Sequence, residues 1–283
     1  MDQGRLPRYI PKLAIACPTW FAAQISTVDD RVYEVGDRTL RFPLMSVIKP
    51  FLFLSILEQY GTEQTLTHVG IDPSDQPFNS LDQLQQDQGF PRNPMINSGA
   101  IALSALLPGE TPAIACQRFQ QWLKDQAGCH LDLDLSMLES VRSVPNERNW
   151  AIAQALCQSG HLAGSVDDAL DIYERVCCLS GTVADLAQLG VLLLRSSDLI
   201  QTPHRRMVQA VMLTCGLYEQ SCRFAVEVGL PTKSGVSGCM LTLVPGKGAI
   251  ACYSPPLDAI GNSVAGLDFI RRVVRHCDLS LFA

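Results

Sequence analysis

Short stretches rich in β-branched residues lie near both ends of the chain and predict strands there. Residues 22–37, AAQISTVDDRVYEVGD, contain two such stretches around an Asp-Asp pair, which predicts a strand, a turn and a second strand. Strands are predicted to return after residue 224, where FAVEVGL precedes PTKSGVSG. CMLTLV and GAIACYS then flank a PGKG turn, a pattern typical of a β-hairpin.

The middle of the chain carries helical patterns instead. Apolar residues are dense enough from residue 46 to about residue 60 to predict a buried helix, which Gly61 is placed to end. Residues 70–99 are rich in turn-forming residues at both ends, so we expect an ordered, functional loop with one short helical piece. Further helices are predicted over GAIALSALL, TPAIACQRFQQWLKDQ, RNWAIAQALCQSG, VDDALDIYERVCCLS, TVADLAQLGVLLLRSS, RRMVQAVMLTCGLY and, at the C-terminal end, GNSVAGLDFIRRVVRHC.

This order of elements predicts an α+β fold in a single domain of residues 1–283. The economical arrangement is a central antiparallel sheet built from both terminal segments and covered by the terminal helix, with a helical lobe inserted. We expect the α/β lobe to comprise about residues 1–45 and 220–283, and the helical lobe about residues 46–219.

Composition and charge exclude several classes of partner. Apolar residues make up 47% of the chain and charged residues 18%, as in ordinary globular proteins. The net charge of −6 and the pI of about 5.3 leave no basic stripe for phosphates, so no nucleic-acid partner is expected. The chain also has no polybasic patch and no unbroken apolar run of membrane-spanning length, so no membrane association is expected.

The number of cysteines indicates the cellular compartment of the protein. The chain contains 11 cysteines, and its N-terminal MDQGRLPRYIPKLA is too polar for the apolar region of a secretory leader. An odd number of cysteines without a leader predicts reduced thiols and a cytoplasmic location. No C-x-x-C is present, so neither a zinc ribbon nor a redox pair is indicated.

The start of the predicted helix at residue 46 carries a candidate nucleophile and base. In Ser46-x-x-Lys49, residues i and i+3 share one helix face. A serine hydroxyl needs a base to remove its proton, and a lysine can be that base when burial or a second cation lowers its pKa. Alternatively, Ser46 caps the helix and Lys49 extends its amine to solvent. The pair alone favours this second interpretation.

A second motif favours the interpretation of Ser46 and Lys49 as a nucleophile and its base. Lys233-Ser234-Gly235 stands at the start of a predicted strand, and S-x-x-K followed by K-[ST]-G on an edge strand is typical of serine acyl-transfer enzymes related to β-lactamases and penicillin-binding proteins. Lys233 would be the second cation beside Lys49, and Gly235 would let the strand approach a substrate. The backbone N–H of Val236 could join that of Ser46 as an oxyanion hole.

Several longer stretches resemble the serine-dependent glutaminase family, from about Tyr9 to Gly266. They are YIPKLA, DPSDQPFNSL, GFPRNPMINSGAI, RNWAIA, YERVCCLS, LYEQSCRFAVEVGLPTKSGV and GNSVAG. The resemblance implies a β-lactamase-like fold and hydrolysis of L-glutamine to L-glutamate and ammonia. It also implies no metal or organic cofactor, a small-molecule amide substrate, and a homo-oligomer, expected to be a homodimer or a homotetramer.

The same resemblance assigns roles to individual residues. Ser46 resembles the acylated nucleophile and Lys49 its base. Phenols near a lysine can pass a proton to leaving ammonia and help to activate water. The family's two active-site tyrosines match Tyr173 and Tyr218, and its substrate-binding positions match Tyr9, Asn97, Asn149, Lys233 and Val236.

Three departures from the family pattern surround the proposed nucleophile. The family usually has Q-S-x-S-K, whereas this chain has Met45 before Ser46 and Ile48 two residues after it. Pro50 lacks an N–H, and its ring would crowd the carbonyl of Ser46 if the helix began a turn earlier, although a proline in the first turn is tolerated. The family's Gly-rich segment after K-S-G reads SGVSGCM here.

A fourth departure concerns substrate recognition. The family usually has a glutamate for the substrate's α-ammonium group a few residues before the Arg-Asn that corresponds to residues 148–149. Here Val144 or Arg142 occupies that position, depending on a gap, and neither can pair with an ammonium group. Glu139 or Glu147 could replace the glutamate only from a shifted backbone.

Three functions therefore remain open from sequence. The first is a glutaminase, or a related amidase with an altered substrate. The second is a relative without turnover that binds a small carboxylate or a protein partner, which the missing glutamate, Met45, Ile48 and Pro50 favour. The third is a β-lactamase or penicillin-binding enzyme, which the missing export signal argues against.

Overall fold

Eight strands form two sheets in the computed structural model, which describes residues 4–195 and 199–282. The larger sheet is antiparallel, and its five strands follow the order β2-β1-β8-β7-β6. The strands are β1 (Ala22–Thr27), β2 (Val32–Gly36), β3 (Phe42–Pro43), β4 (Asp132–Leu133), β5 (Leu179–Gly181), β6 (Thr232–Ser234), β7 (Cys239–Val244) and β8 (Gly248–Tyr253).

Both terminal segments meet in the centre of the larger sheet. Strand β1 pairs with β8, and Ile25 faces Ile250 across the two strands. The N-terminal hairpin β1–β2 and the C-terminal hairpin β7–β8 therefore form one sheet, which confirms the predicted α+β fold with a sheet from both ends of the chain. Strands β3, β5 and β4 form a smaller sheet that the sequence did not predict, because each strand has only two or three residues.

Twelve helices of the described residues cover the sheet and form the rest of the domain. They are α1 (Pro11–Ala14), α2 (Lys49–Thr65), α3 (Leu81–Gln86), α4 (Asn97–Ser104), α5 (Pro112–Ala127), α6 (Leu135–Arg142), α7 (Glu147–Gln158), α8 (Val166–Cys177), α9 (Val183–Leu194), α10 (Thr202–Cys215), α11 (Ser221–Glu227) and α12 (Val264–Cys277). Helices predicted from sequence correspond to α2, α4, α5, α7 to α10 and α12, and α3 is the short helical piece expected within residues 70–99.

The two faces of the larger sheet are covered by different helices. Successive side chains of a strand point to opposite faces. Ala249 and Ala251 belong to the core beneath α9, whereas Ile250 and Cys252 belong to a second core that Leu267 and other residues of α12 complete. Helix α9 lies within the predicted helical lobe but packs on the sheet. The boundaries of the two lobes stay a prediction.

One predicted strand is a helix. Residues 224–230 alternate apolar and polar positions, which favours a strand, but helix α11 extends to Glu227 and the strand begins at Thr232. Phe224 and Val228 are buried four residues apart, while Val226 is 89% exposed. A run of alternating apolar residues always contains an i, i+4 pair, and here that pair faces the core.

The structure of residues 45–65 shows how Pro50 is accommodated at the start of α2. A 3₁₀ turn, Met45–Ile48, precedes α2, and the N–H of Lys49 bonds to the carbonyl of Ser46. Pro50 consequently lies in the first turn of the α-helix, where a missing N–H leaves no helical hydrogen bond unmade. At the other end, Gly61 has a φ of 77°, which breaks the helix as predicted before a last turn to Thr65.

Within the described residues, no helix combines the length and apolar character that crossing a membrane would require.

We expect Gly190→Ala to destabilise the fold. In an ordinary helix this change is favourable, but a Cβ at Gly190 would lie 2.4 Å from the Cβ of Ala249 and 2.8 Å from Leu241 of the sheet. Overpacking of this kind typically lowers the free energy of unfolding by about 1–3 kcal/mol, which urea denaturation measures.

The second change Ala249→Gly provides the matched control, because it removes the atom with which the new Cβ collides. The double variant should recover part of the stability lost by Gly190→Ala. A Gly190→Ala variant as stable as the wild type would show that α9 can move away from the sheet without loss.

Candidate active site

Ser46 lies in a strained and tightly enclosed turn. Met45, immediately before it, has a φ of 46°, a conformation that non-glycine residues seldom adopt. The end of β6 lies against this turn, since a Cβ on Gly235 would come within 2.6 Å of the carbonyl oxygen of Leu44. Gly235 is therefore required for close approach of the strand to the serine, as its place in the Lys-Ser-Gly motif predicted.

Lys49 is buried one turn after Ser46. Its Nζ donates a hydrogen bond of 2.7 Å to Oδ1 of Asn97 and lies 3.4 Å from the carbonyl oxygen of Met95. Burial lowers the pKa of Lys49 from 10.5 to about 8, while the neighbouring thiol of Cys177 acts in the opposite direction. Lys49 does not extend to solvent, and a small fraction of its amine is neutral near neutral pH.

Asn97 connects three other helices to α2. Its Oδ1 accepts hydrogen bonds from Lys49 and from the hydroxyl of Tyr173, at 3.1 Å, and its Nδ2 donates to Oδ1 of Asn149 at 2.9 Å. Asn97 is in the first turn of α4, Asn149 is on α7 and Tyr173 is on α8. Four residues from distant parts of the sequence are thus joined by one amide.

Lys233 is the second buried amine. Its Nζ donates to the carbonyl oxygens of Gly216 at 3.0 Å and Ser234 at 2.8 Å, and it lies 4.5 Å from the ring centre of Tyr218. Burial, and secondly the charge of Lys49, hold the pKa of Lys233 well below its usual range. Within the described ranges of the chain, neither lysine forms an ion pair.

Both tyrosines predicted for the site are buried beside these amines. Burial raises the pKa of Tyr173 and of Tyr218, and the nearby Ser46 is the largest influence in the opposite direction on Tyr218. The hydroxyl of Tyr218 lies 3.4 Å from the carbonyl oxygen of Ser234. The backbone of Tyr218 has a φ of 57°, so Tyr218 is a second strained residue at the site. Both phenols are neutral at ordinary pH.

The predicted residues surround a cavity of about 560 Å³. Its wall includes Tyr9, Ser46, Asn97, Asn149, Tyr173 and Val236. Lys49, Lys233 and Tyr218 are not part of that wall, and Lys49 contacts it through Asn97. Tyr9 is the most open of the set, with 55% of its surface exposed. All nine predicted site residues therefore meet in one region, although their individual roles stay predictions.

Two backbone N–H groups in this wall are available. Among residues 4–195 and 199–282, the N–H groups of Ser46 and Val236 have no hydrogen-bond acceptor, whereas the adjacent Gly235 N–H donates to Cys239 at 2.9 Å. Two free N–H groups on residues of one cavity wall are the kind of donors that an oxyanion hole requires.

Comparison with known proteins decides the family. A model of the glutaminase family matches residues 4–282. The chain belongs to the glutaminase family. It is 46% identical to a glutaminase of Synechocystis sp. over 266 residues, covering 93% of this chain and 81% of the relative. It is 34% identical to a glutaminase of Alkaliphilus oremlandii over 290 residues, covering 99% and 94% of the two chains.

Solved structures of the family share the fold. A structure named probable glutaminase ybaS has a TM-score of 0.94 and 35% identity, covering 99% of this chain and 92% of that one. A probable glutaminase from Bacillus subtilis, complexed with 6-diazo-5-oxo-L-norleucine, has a TM-score of 0.89 and 27% identity, covering 98% and 90%. The predicted glutaminase family and β-lactamase-like fold are confirmed.

The structure also shows the surroundings of Val144 and Arg142, the two candidate positions for the family's glutamate. Val144 lies in the cavity wall of this glutaminase-family chain, and Arg142 forms ion pairs with Asp171 and Glu174. Glu139 and Glu147 are exposed and outside the wall, so neither replaces the lost acid.

Sequence reasoning did not single out three residues of the cavity wall. Phe78, whose ring lies 4.7 Å from that of Tyr218, comes from the loop that was expected to be functional. Glu174 lies in the stretch YERVCCLS, but nothing in the sequence singled out this residue or Asn146. Polar residues next to a predicted site residue are ordinary on a helix surface, and only the packing of α8 against α7 places these two in the wall.

We expect Lys49→Met to change the pH dependence of stability. Because the pKa of Lys49 is about 8 in the folded chain and 10.5 ordinarily, the unfolded chain binds more protons between these values. Stability due to Lys49 therefore rises with pH across that window, and below it the contribution is constant and unfavourable. Relative to Lys49→Met, the wild-type free energy of unfolding should increase by about 3 kcal/mol from pH 8 to 10.5.

Urea denaturation of both proteins at several pH values measures this difference. Subtracting the variant removes the contributions of the groups that do not interact with Lys49, while Lys233, whose pKa Lys49 lowers, contributes to the difference. A difference that is constant from pH 8 to 10.5 would show that Lys49 keeps its ordinary pKa in the folded chain.

Proposed function

We propose that this chain hydrolyses L-glutamine to L-glutamate and ammonia through an acyl-enzyme on Ser46. The observation that carries the proposal is the buried Lys49 amine, without an ion-pair partner among the described residues and with its pKa lowered, one turn from a serine in the cavity wall. Such an amine can take a hydroxyl proton near neutral pH, which a solvated lysine cannot do. The glutaminase relatives and the solved complex with a reactive L-norleucine derivative support the substrate assignment.

In the acylation step, Oγ of Ser46 attacks the side-chain amide carbon of glutamine and its proton passes to Lys49. The carbonyl oxygen becomes an oxyanion, which the N–H groups of Ser46 and Val236 stabilise. The C–N bond then breaks, and the nitrogen leaves as ammonia after it receives a proton through Lys49 or a neighbouring phenol. The glutamyl group remains on Ser46 as an ester.

In the deacylation step, water attacks the ester and Ser46 recovers its proton, which releases L-glutamate. Tyr173 and Tyr218 are placed beside Lys49 and Lys233 and are proposed to relay these protons. Asn97, Asn149 and Tyr9 are proposed to bind the substrate from the cavity wall, and Lys233 is proposed to disfavour protonation of the Lys49 amine. No metal or cofactor enters this scheme.

The remaining expectations concern the setting of the enzyme. We propose a homodimer or a homotetramer in the cytoplasm. The family resemblance supports the oligomer, and the cysteine usage of the chain supports a reducing compartment.

Ser46→Ala should abolish ammonia release from L-glutamine, because the remaining groups have no nucleophile to act on. A reduction of at least about a thousandfold in kcat is expected, measured by an enzyme-coupled ammonia assay. Ser55→Ala is the matched control: Ser55 is also buried in the helical segment after Ser46 but lies outside the cavity wall, and its change should leave kcat within about twofold.

Intact mass spectrometry with 6-diazo-5-oxo-L-norleucine adds a direct readout, since only the wild type and Ser55→Ala should form a covalent adduct. Equal, slow ammonia release by the wild type and Ser46→Ala would refute catalysis by this serine. Ligand-dependent melting without an adduct would instead indicate binding without turnover.

The pH profile of kcat/KM should report the base. Since Lys49 accepts a proton only when neutral and its pKa is about 8, the rate should rise about tenfold per pH unit below pH 8 and level off above it. The apparent pKa belongs to Lys49 and Lys233 together, because the two amines interact. Initial rates in constant-ionic-strength buffers from pH 6 to 9 measure the profile, and a flat profile would exclude Lys49 as the base.

A further inference from the structure

The cavity wall contains an acid that the family pattern did not predict. Glu174 follows Tyr173 on α8, and its side chain is 13% exposed at the edge of the cavity. We propose that Glu174 binds the α-ammonium group of the substrate, an inference that rests on the proposed hydrolysis of an L-amino acid amide. The site would then recognise the amino group from α8 rather than from the segment before α7.

Hydrogen bonds fix the orientation of this carboxylate. Its Oε1 accepts from Nδ2 of Asn146 at 2.8 Å, and its Oε2 accepts from Nε of Arg142 at 3.0 Å. Asn146 lines the same cavity as Glu174. A carboxylate oxygen has two acceptor directions, and Asn146 uses one of those of Oε1. Among the described residues no donor uses the second direction, which the proposal assigns to the ammonium group.

No other carboxylate competes for this role. Among the described residues that line the cavity, Glu174 is the one acidic side chain. Asp171, which binds Arg142 and Arg175, lies outside the wall. An ammonium group that enters the cavity therefore meets a single carboxylate, on the residue that follows Tyr173 in the wall.

The ion pair with Arg142 sets the strength of this contact. Arg142 is shared with Asp171, so it does not neutralise Glu174 completely, but it does reduce the negative potential at the cavity. We therefore expect discrimination in favour of the α-ammonium group that is measurable but weaker than that of an unpaired carboxylate. The same pair keeps the carboxylate oriented when the cavity is empty.

Glu174→Gln tests the inference, because glutamine keeps an oxygen for Arg142 or Asn146 but loses the charge. The probes are L-glutamine and glutaramate, which is glutamine without its α-amino group. Calorimetric titration in the Ser46→Ala background, where no turnover occurs, gives a Kd for each compound. We expect Ser46→Ala to prefer L-glutamine about 10- to 100-fold, and the added Glu174→Gln to remove most of this preference by weakening L-glutamine alone.

Glu139→Gln is the matched control, since it removes an exposed charge outside the cavity wall and should leave both Kd values unchanged. Equal loss of both ligands in Glu174→Gln, an unchanged preference, or no binding of L-glutamine to Ser46→Ala would each overturn the inference. Absence of ammonia release from the wild type would refute the proposed hydrolysis, while the binding preference would still test Glu174 separately.

Discussion

The active site depends on two lysine amines that are buried close together without a carboxylate partner among the described residues. Lys49 and Lys233 are each held by amide and carbonyl oxygens, which solvate an amine without neutralising it. Burial of an unpaired cation is unfavourable, so burial lowers both pKa values, and the charge of Lys49 lowers that of Lys233 further. In a purely structural protein this burial would only reduce stability. Here it lowers the pKa of Lys49, so that the amine can act as a base next to Ser46.

The larger sheet and the helices hold these amines from opposite sides. Strand β6 carries Lys233, the turn before α2 carries Ser46, and α4 carries Asn97. Gly235 lets the strand lie against the turn, since its Cβ position falls 2.6 Å from the carbonyl oxygen of Leu44. The strained backbone at Met45 and Tyr218 is located where strand and helices meet, as is common at functional sites.

Sequence predicted the sheet and most of the long helices, because these leave local signals. Two short motifs indicated Ser46, Lys49, Lys233 and Val236, and the family resemblance added the other five residues, whose roles stay predictions. Alternating β-branched runs, a Pro-Gly turn and two short motifs in the right order are visible without a structure. The helix at Ser221–Glu227 was missed because its alternating apolar residues fit either period. The small sheet was missed because two-residue strands have no pattern. Glu174 was missed because only tertiary packing distinguishes it from other acids on α8, while Pro50 proved harmless once the 3₁₀ turn was visible.

The amide of Asn97 also determines the direction in which hydrogens point. Its Oδ1 accepts from both Lys49 and Tyr173, which commits the single hydrogen of the Tyr173 hydroxyl to Asn97. The phenol is neutral and has one hydrogen, so its oxygen can accept a further hydrogen bond but can receive a proton only after it has given its own away. The Asn97 side chain therefore imposes an order on the proposed relay: the bond to Asn97 breaks first, Tyr173 then donates its proton, and only afterwards does it receive one.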